Sequence, residues 1–193
     1  RIDYQKIVSK NILLVGGISK NKGHYDIIKA MPEVLKIFPD VKILFAGPEG
    51  EIGAINKIKK ISKESGIINN VFFLGSVTGI EKLKLFSSAN IVILPSYAEN
   101  MPLVVLEGMA ARRPVIASRV GAIPELFGDD EFGLLINPGD WKELAAKIIL
   151  LLKDTKRAEE LGEKAYHRVK NLWDIEKIVK IHNDLYLELL KNE

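Results

Sequence analysis

The chain has 193 residues, 47% hydrophobic and 27% charged, with a formal net charge of +3. That balance excludes a disordered polypeptide and provides for one core of ordinary size. The absence of cysteine removes disulfides and thiolate chemistry, and His24, His167 and His182 are too scattered to show metal-ligand spacing.

In chain order, the residues before the first apolar run (1–10) read as an incoming linker. Short, mainly apolar, β-rich runs follow at 11–15, 41–46, 71–74, 91–94, 114–117 and 133–136. Continuous runs of this kind, unlike alternating ones, predict strands buried on both faces. Between them the spacing predicts helices over about 24–37, 51–64, 80–88, 103–111 and 140–152. Pro32 predicts a kink or an irregular start in the first. Beyond 152 only helical patterns remain, about 157–171 and 174–191. Alternation of strand and helix implies right-handed crossovers, hence an α/β fold: one Rossmann-like parallel sheet with helices on both faces. Trp141 and Trp173 are expected to pack helices.

No apolar run approaches the ~18 residues needed to cross a bilayer, and no signal-peptide pattern is present. Residues 1–85 hold 14 Lys and Arg against 8 Asp and Glu, whereas 86–193 hold 14 against 17. A basic first half suits an anionic partner. The cluster Lys57, Lys59, Lys60 and Lys63 interleaves with isoleucines and lacks aromatics to stack on bases, so no nucleic-acid partner is expected.

Ligands of such sheets bind beyond the carboxyl ends of the strands, so the loops there carry the candidate chemistry. The first loop, Gly16-Gly17-Ile18-Ser19-Lys20-Asn21-Lys22-Gly23, joins a strand to a helix. Glycines permit the turn, the helix start offers free N–H groups, and Lys20 and Lys22 add charge, as a pyrophosphate requires. The loop is neither a P-loop nor a Gly-x-Gly-x-x-Gly turn. The fourth loop runs Pro95-Ser96-Tyr97-Ala98-Glu99-Asn100-Met101-Pro102-Leu103 into Val104-Val105-Leu106-Glu107-Gly108-Met109-Ala110. Pro102 suits a first helical position and leaves the amides of Leu103 and Val104 facing the sheet's mouth. Glu99 remains in the loop and Glu107 lies a turn inside the helix among apolar residues. A carboxylate there pairs with vicinal sugar hydroxyls through two hydrogen bonds.

The pair Glu99 and Glu107, separated by seven residues, resembles the Glu-x7-Glu signature of retaining GT-B glycosyltransferases. Pro95-Ser96, Pro102-Leu103, Met109-Ala110, Arg113-Pro114-Val115-Ile116-Ala117-Ser118, Phe73-Leu74-Gly75, Gly121…Pro124-Glu125 and Pro138-Gly139-Asp140 extend the likeness to glycosyltransferase family 4 over about 11–152. The resemblance implies the C-terminal, donor-binding half of a GT-B fold, with a nucleoside diphosphate sugar as donor. By that resemblance Lys22 contacts the donor diphosphate, Glu107 the ribose hydroxyls and Glu99 the donor sugar. The backbone of Asn100, Met101, Pro102 and Leu103 cradles the distal phosphate and sugar, and Ser76 and Val77 meet the base. Gly16, Gly17 and Lys20 complete the donor site, with Glu99 and Lys22 carrying the transfer.

The resemblance further implies retention at the anomeric carbon, no metal and no cofactor. The acceptor, a saccharide or lipid-linked glycan, would bind a further N-terminal domain. A chain opening at Arg1 is accordingly expected to be one domain of a longer, cytoplasmic protein that touches the inner membrane face peripherally. The segment 174–191 resembles the terminal helix that crosses to the other half. Its face of Ile175, Ile178, Ile181, Leu185 and Leu189 would be uncovered in isolation, so self-association is expected. Two departures stand out. The family's Arg beside the first-loop glycine is Gly17 here, which removes one diphosphate cation, and Arg112-Arg113 replaces a small-residue turn. Gly17 favours an alternative, a non-catalytic nucleotide-binding or assembly module. A sugar-nucleotide epimerase is disfavoured by the Glu-x7-Glu string. Glu125 is expected to cap or buttress the site.

Overall fold

A computed structural model describes residues 10–128 and 130–191. Six parallel strands form one sheet in the order β3-β2-β1-β4-β5-β6: β1 Asn11–Val15, β2 Lys42–Ala46, β3 Val71–Gly75, β4 Ile91–Leu94, β5 Val115–Ser118 and β6 Leu134–Ile136. The helices are α1 His24–Ile37, α2 Ala54–Glu64, α3 Gly79–Ser88, α4 Leu103–Ala110, α5 Ile123–Phe127, α6 Trp141–Lys153, α7 Thr155–Leu172 and α8 Ile175–Lys191. The strand order reverses between β1 and β4, which pair through Ile12 with Ile91 and Leu13 with Val92. That reversal opens a crevice beyond the strand ends.

The apolar runs are strands because each successive residue has a core to enter. Ile12, Leu14, Ile43, Phe45, Ile93, Ile116 and Ile136 pack with α1, α2 and α6 on one face. Leu13, Leu44, Val92, Leu94, Ala117 and Leu135 pack with α3, α4, α5 and α7 on the other. Burying one such Leu or Ile contributes about 1.5–3 kcal/mol, which outweighs the backbone ordering of its residue. Trp141 packs against the first core and Trp173 against the second, as expected.

Helix α1 runs unbroken across Pro32 and is entered by a turn in which Gly23 adopts φ 74°. That turn belongs to Gly23, nine residues before Pro32, and Pro32 itself neither ends nor restarts the helix. Helix α7 begins at Thr155 because the Asp154 side chain accepts a hydrogen bond from the Arg157 N–H at 3.0 Å. Its sequence periodicity alone suggests a start two residues later. Of the expected linker only Lys10 lies among the described residues, its carbonyl accepting from the Lys42 N–H.

Arg112 occupies the turn that follows α4 at φ 56°, a left-handed conformation that suits glycine. The Arg113 N–H bonds the Gly108 carbonyl and the Arg112 N–H that of Met109, forming a Schellman ending. The guanidinium of Arg112 lies 3.9 Å from the Tyr166 ring centroid and pairs with Glu163 at 3.0 Å. These contacts hold the strained turn against α7. A Cβ at Gly162 would sit 2.4 Å from the Arg112 carbonyl oxygen. Gly162→Ala is therefore expected to lose about 2 kcal/mol in urea unfolding, because the backbone must part to admit a methyl group.

Candidate functional site

The loops after β1 and β4 meet at the crevice through contacts that only small residues allow. At Gly23 the positive φ disfavours a side chain, and a Cβ would fall 2.1 Å from the Pro95 carbonyl oxygen. The Tyr97 N–H donates to the Asn21 carbonyl at 2.8 Å, tying the loops a second time. A third tie is the Tyr97 hydroxyl, which donates to Asp26 Oδ2 at 2.7 Å. Asp26 is buried in the first turn of α1 and has Lys29 at 3.6 Å. The hydrogen bond to Asp26, reinforced by burial, pushes the Tyr97 phenol above its ordinary pKa. Tyr97→Phe leaves the Asp26 carboxylate without that donor and is expected to cost about 2 kcal/mol, read by urea unfolding.

With the loops held this way, Lys22 Nζ stands 2.6 Å from Glu99 Oε1, and the Glu99 side chain is only 9% exposed. The Lys22 N–H lies 3.4 Å from Ser19 Oγ. Beneath the loop, His24 is fully buried with its ring centroid 4.8 Å from that of Phe45. Its Nδ1 lies 3.1 Å from the Ser19 carbonyl oxygen and 3.4 Å from the Ser19 backbone nitrogen, so the ring is held against both polar groups of that residue. Burial, with Lys22 adding to it against the opposing Ser19 hydrogen bond, lowers its pKa to about 4. His24 thus fastens the lysine-bearing loop from below as a neutral ring.

Helix α4 begins beside Glu99. Its cap residue Pro102 supplies no side-chain acceptor, so the first-turn amides of Leu103 and Val104 remain for a ligand. Met101 and Leu103 are exposed and Pro102 is buried. The Asn100 carbonyl accepts from the Ala122 N–H at 2.9 Å, so the turn before α5 supports this loop. Glu125, expected to cap or buttress the site, is exposed, and its backbone carbonyl accepts from Arg168. One turn into α4, Glu107 Oε1 accepts from Lys82 Nζ on α3 at 2.5 Å.

The remaining expected residues surround this centre. Gly16 and Gly17 lie in the loop after β1, which zips to the loop after β2 through an Ile18–Glu49 bridge. Lys20 is exposed, with its backbone N–H held by Glu51 at 3.1 Å. A Cβ at Gly17 would meet nothing closer than the Gly50 Cα at 3.6 Å, an ordinary contact. Ser76 and Val77 lie between β3 and α3, Ser76 exposed and Val77 packed on the second core. Lys82, Tyr97, Asp26 and His24 have structural or electrostatic parts that sequence reasoning missed or left open. Helix α8 has no buried residue, and Ile175, Ile181, Leu185 and Leu189 are exposed along it.

Fold and crevice together define a Rossmann-like α/β domain with a candidate ligand site at the switch of its parallel sheet, where lysines face carboxylates. The family profile described as glycosyl transferases group 1 matches residues 6–168, and the chain belongs to that family. It is 31% identical over 186 residues to N-acetyl-alpha-D-glucosaminyl L-malate synthase of Bacillus anthracis, covering 96% of this chain and 47% of that protein. Among solved structures, sucrose-phosphate synthase from Thermosynechococcus elongatus matches with a TM-score of 0.86 and 30% identity over 97% of this chain and 47% of that one. The C-terminal domain of a group 1 family protein, LpcC from Francisella tularensis, matches with a TM-score of 0.80 and 28% identity, over 89% of this chain and 90% of that one. The chain thus spans about half the length of the curated relatives it matches.

Proposed function

We propose that this chain is the donor-binding domain of a family 4 retaining glycosyltransferase, taking a sugar from a nucleoside diphosphate donor to a carbohydrate or lipid-linked acceptor. The observation that carries the reading is the Lys22–Glu99 pair, set at 2.6 Å beside the uncapped amides of α4 at the sheet's switch point. A diphosphate entering there draws Lys22 from Glu99 and lies against the first turn of α4, where amide dipoles favour anions. Glu99, released, accepts from the sugar hydroxyls, while Glu107 accepts from the ribose diol. Ser76 and Val77 flank the base. As the bond to the anomeric carbon breaks, Lys22 and the helix amides stabilise the departing diphosphate, a role that needs no metal.

The C-terminal placement is supported by the likeness to LpcC, solved as a C-terminal domain, over 90% of its length. A further N-terminal domain would carry the acceptor and cover the apolar face of α8. No described helix is long and apolar enough to cross a membrane. A peripheral contact at the cytoplasmic face would suit a lipid-linked acceptor.

Calorimetric titration with UDP, GDP, ADP and their sugar conjugates tests the reading. Micromolar binding of one nucleotide, about −8 kcal/mol at 1 μM, supports it. Millimolar or absent binding to all of them counts against a donor site. Gly17 favours a second reading, a module that kept the fold and lost the chemistry, since one cation expected beside the diphosphate is absent. The space at Gly17 makes the question decidable. Gly17→Arg is expected to tighten diphosphate binding about tenfold, because a guanidinium binds phosphate through two parallel hydrogen bonds. Measurement by the same titration suffices, and unchanged affinity places the diphosphate elsewhere.

A further inference from the structure

Glu107 has a partner that its own loop does not supply. Lys82, in the second turn of α3, reaches across to Oε1, and the two side chains are 29% and 36% exposed. The other oxygen, Oε2, is shielded from solvent and accepts no hydrogen bond among the described residues. An ion pair this exposed contributes little to folding, and a shielded oxygen without a donor opposes it. Stability therefore does not explain the arrangement. The pair also borders an open cleft between α3 and α4, walled by Leu83, Phe86 and Ala110.

We propose that Lys82 is a donor-recognition residue that cancels the charge of Glu107 while leaving the carboxylate's lone pairs to the ribose. The inference rests on the reading of Glu107 as the ribose acceptor. A nucleoside diphosphate is a polyanion, and an uncompensated carboxylate beneath its ribose repels it. A vicinal diol needs acceptor oxygens, not net charge. Lys82 occupies one lone pair of Oε1, and a small rotation of the carboxylate brings Oε2 to the diol. Lys22 has the corresponding relation to Glu99 under the diphosphate and sugar. Both carboxylates that the site presents to an anionic ligand are thus neutralised by lysines from other elements.

The effect of Lys82 must then scale with ligand charge. The test compares the whole chain with its Lys82→Met and Lys82→Arg variants. Each is titrated with the nucleoside, monophosphate and diphosphate of the base that the wild type prefers, at low and physiological salt. Lys82→Met is expected to melt with the wild type, bind the nucleoside within about twofold and bind the diphosphate about tenfold more weakly at low salt. The gap narrows as salt rises, and Lys82→Arg recovers the wild-type affinity. Equal weakening across the three ligands overturns the proposal, since charge is then not the cause. Unchanged or tighter diphosphate binding also overturns it, because Lys82 is then a bystander or an obstruction. If the wild type binds nucleotides and Glu107→Ala weakens that binding while Lys82→Met leaves it intact, this inference alone fails. If the wild type binds no ribonucleoside diphosphate, the ribose reading fails and takes the inference with it.

Discussion

Glu107→Ala is expected to weaken ribonucleoside diphosphate binding about thirtyfold while leaving the fold intact. Two hydrogen bonds from a ribose diol to a carboxylate are together worth about 3 kcal/mol, which is about a hundredfold in affinity. Part of that loss returns, because the freed Lys82 ammonium turns its full charge toward the phosphates. Stability behaves differently. The substitution removes a partly exposed ion pair, worth at most about 1 kcal/mol, together with a shielded oxygen that has no donor among the described residues. Those changes oppose each other, so the melting temperature should move by no more than about 3 °C. The discriminating readout is the 2′-deoxy analogue. Wild type should prefer the ribonucleotide, and the variant should bind both alike. A variant that keeps the preference shows that the ribose is read by another residue.

Acid should destabilise the chain through His24, and the sign follows from its depressed pKa. An unfolded histidine titrates near its ordinary value of 6.5, while the native ring holds out to about 4. Between those values the unfolded state binds the proton and the native state does not, so stability falls as pH falls. Stability from this source is complete above pH 6.5, declines across the window and is gone below about 4. The full shift corresponds to about 3 kcal/mol, of which about 2 kcal/mol is lost between pH 7 and 4.5. His24→Phe keeps a ring against Phe45 but cannot be protonated. Urea unfolding at pH 7 and 4.5 should show the variant losing about 2 kcal/mol less than the wild type. Equal losses would assign the acid sensitivity to carboxylates. Because His24 anchors Ser19, the wild type should also lose diphosphate affinity in the same window, as the loop carrying Lys22 loosens.

Much of this molecule was legible in its residues taken in order. The six mainly apolar runs became the six strands with ends shifted by no more than one residue, because burial on both faces favours apolar side chains at successive positions and leaves polar ones such as Asn11, Lys42 and Ser118 to the strand ends. The longer helical segments were equally visible through their apolar period, whereas the five-residue α5 is too short to show one. Where boundaries moved, capping chemistry moved them. Asp154 starts α7 early, and Gly53 at φ 80° delays α2 to Ala54. Lys22, Glu99 and Glu107 were legible as well, through the loops that bear them and the likeness those loops carry.

The partners of those residues were not. Lys82 and Glu107 lie 25 residues apart and belong to different helices, and Tyr97 reaches Asp26 across 71. No local spacing announces such pairs; they meet because the crossovers set α3 beside α4 and the loop after β4 against the start of α1. The role of Arg112 was hidden for the same reason, since its strained turn is held by Tyr166 and Glu163 on α7. Local sequence determined which segments are strand and helix and which loops bear charge, because propensity and burial act residue by residue. Tertiary structure decided which charges face one another, because that depends on strand order and helix contact, which no stretch of the chain contains by itself.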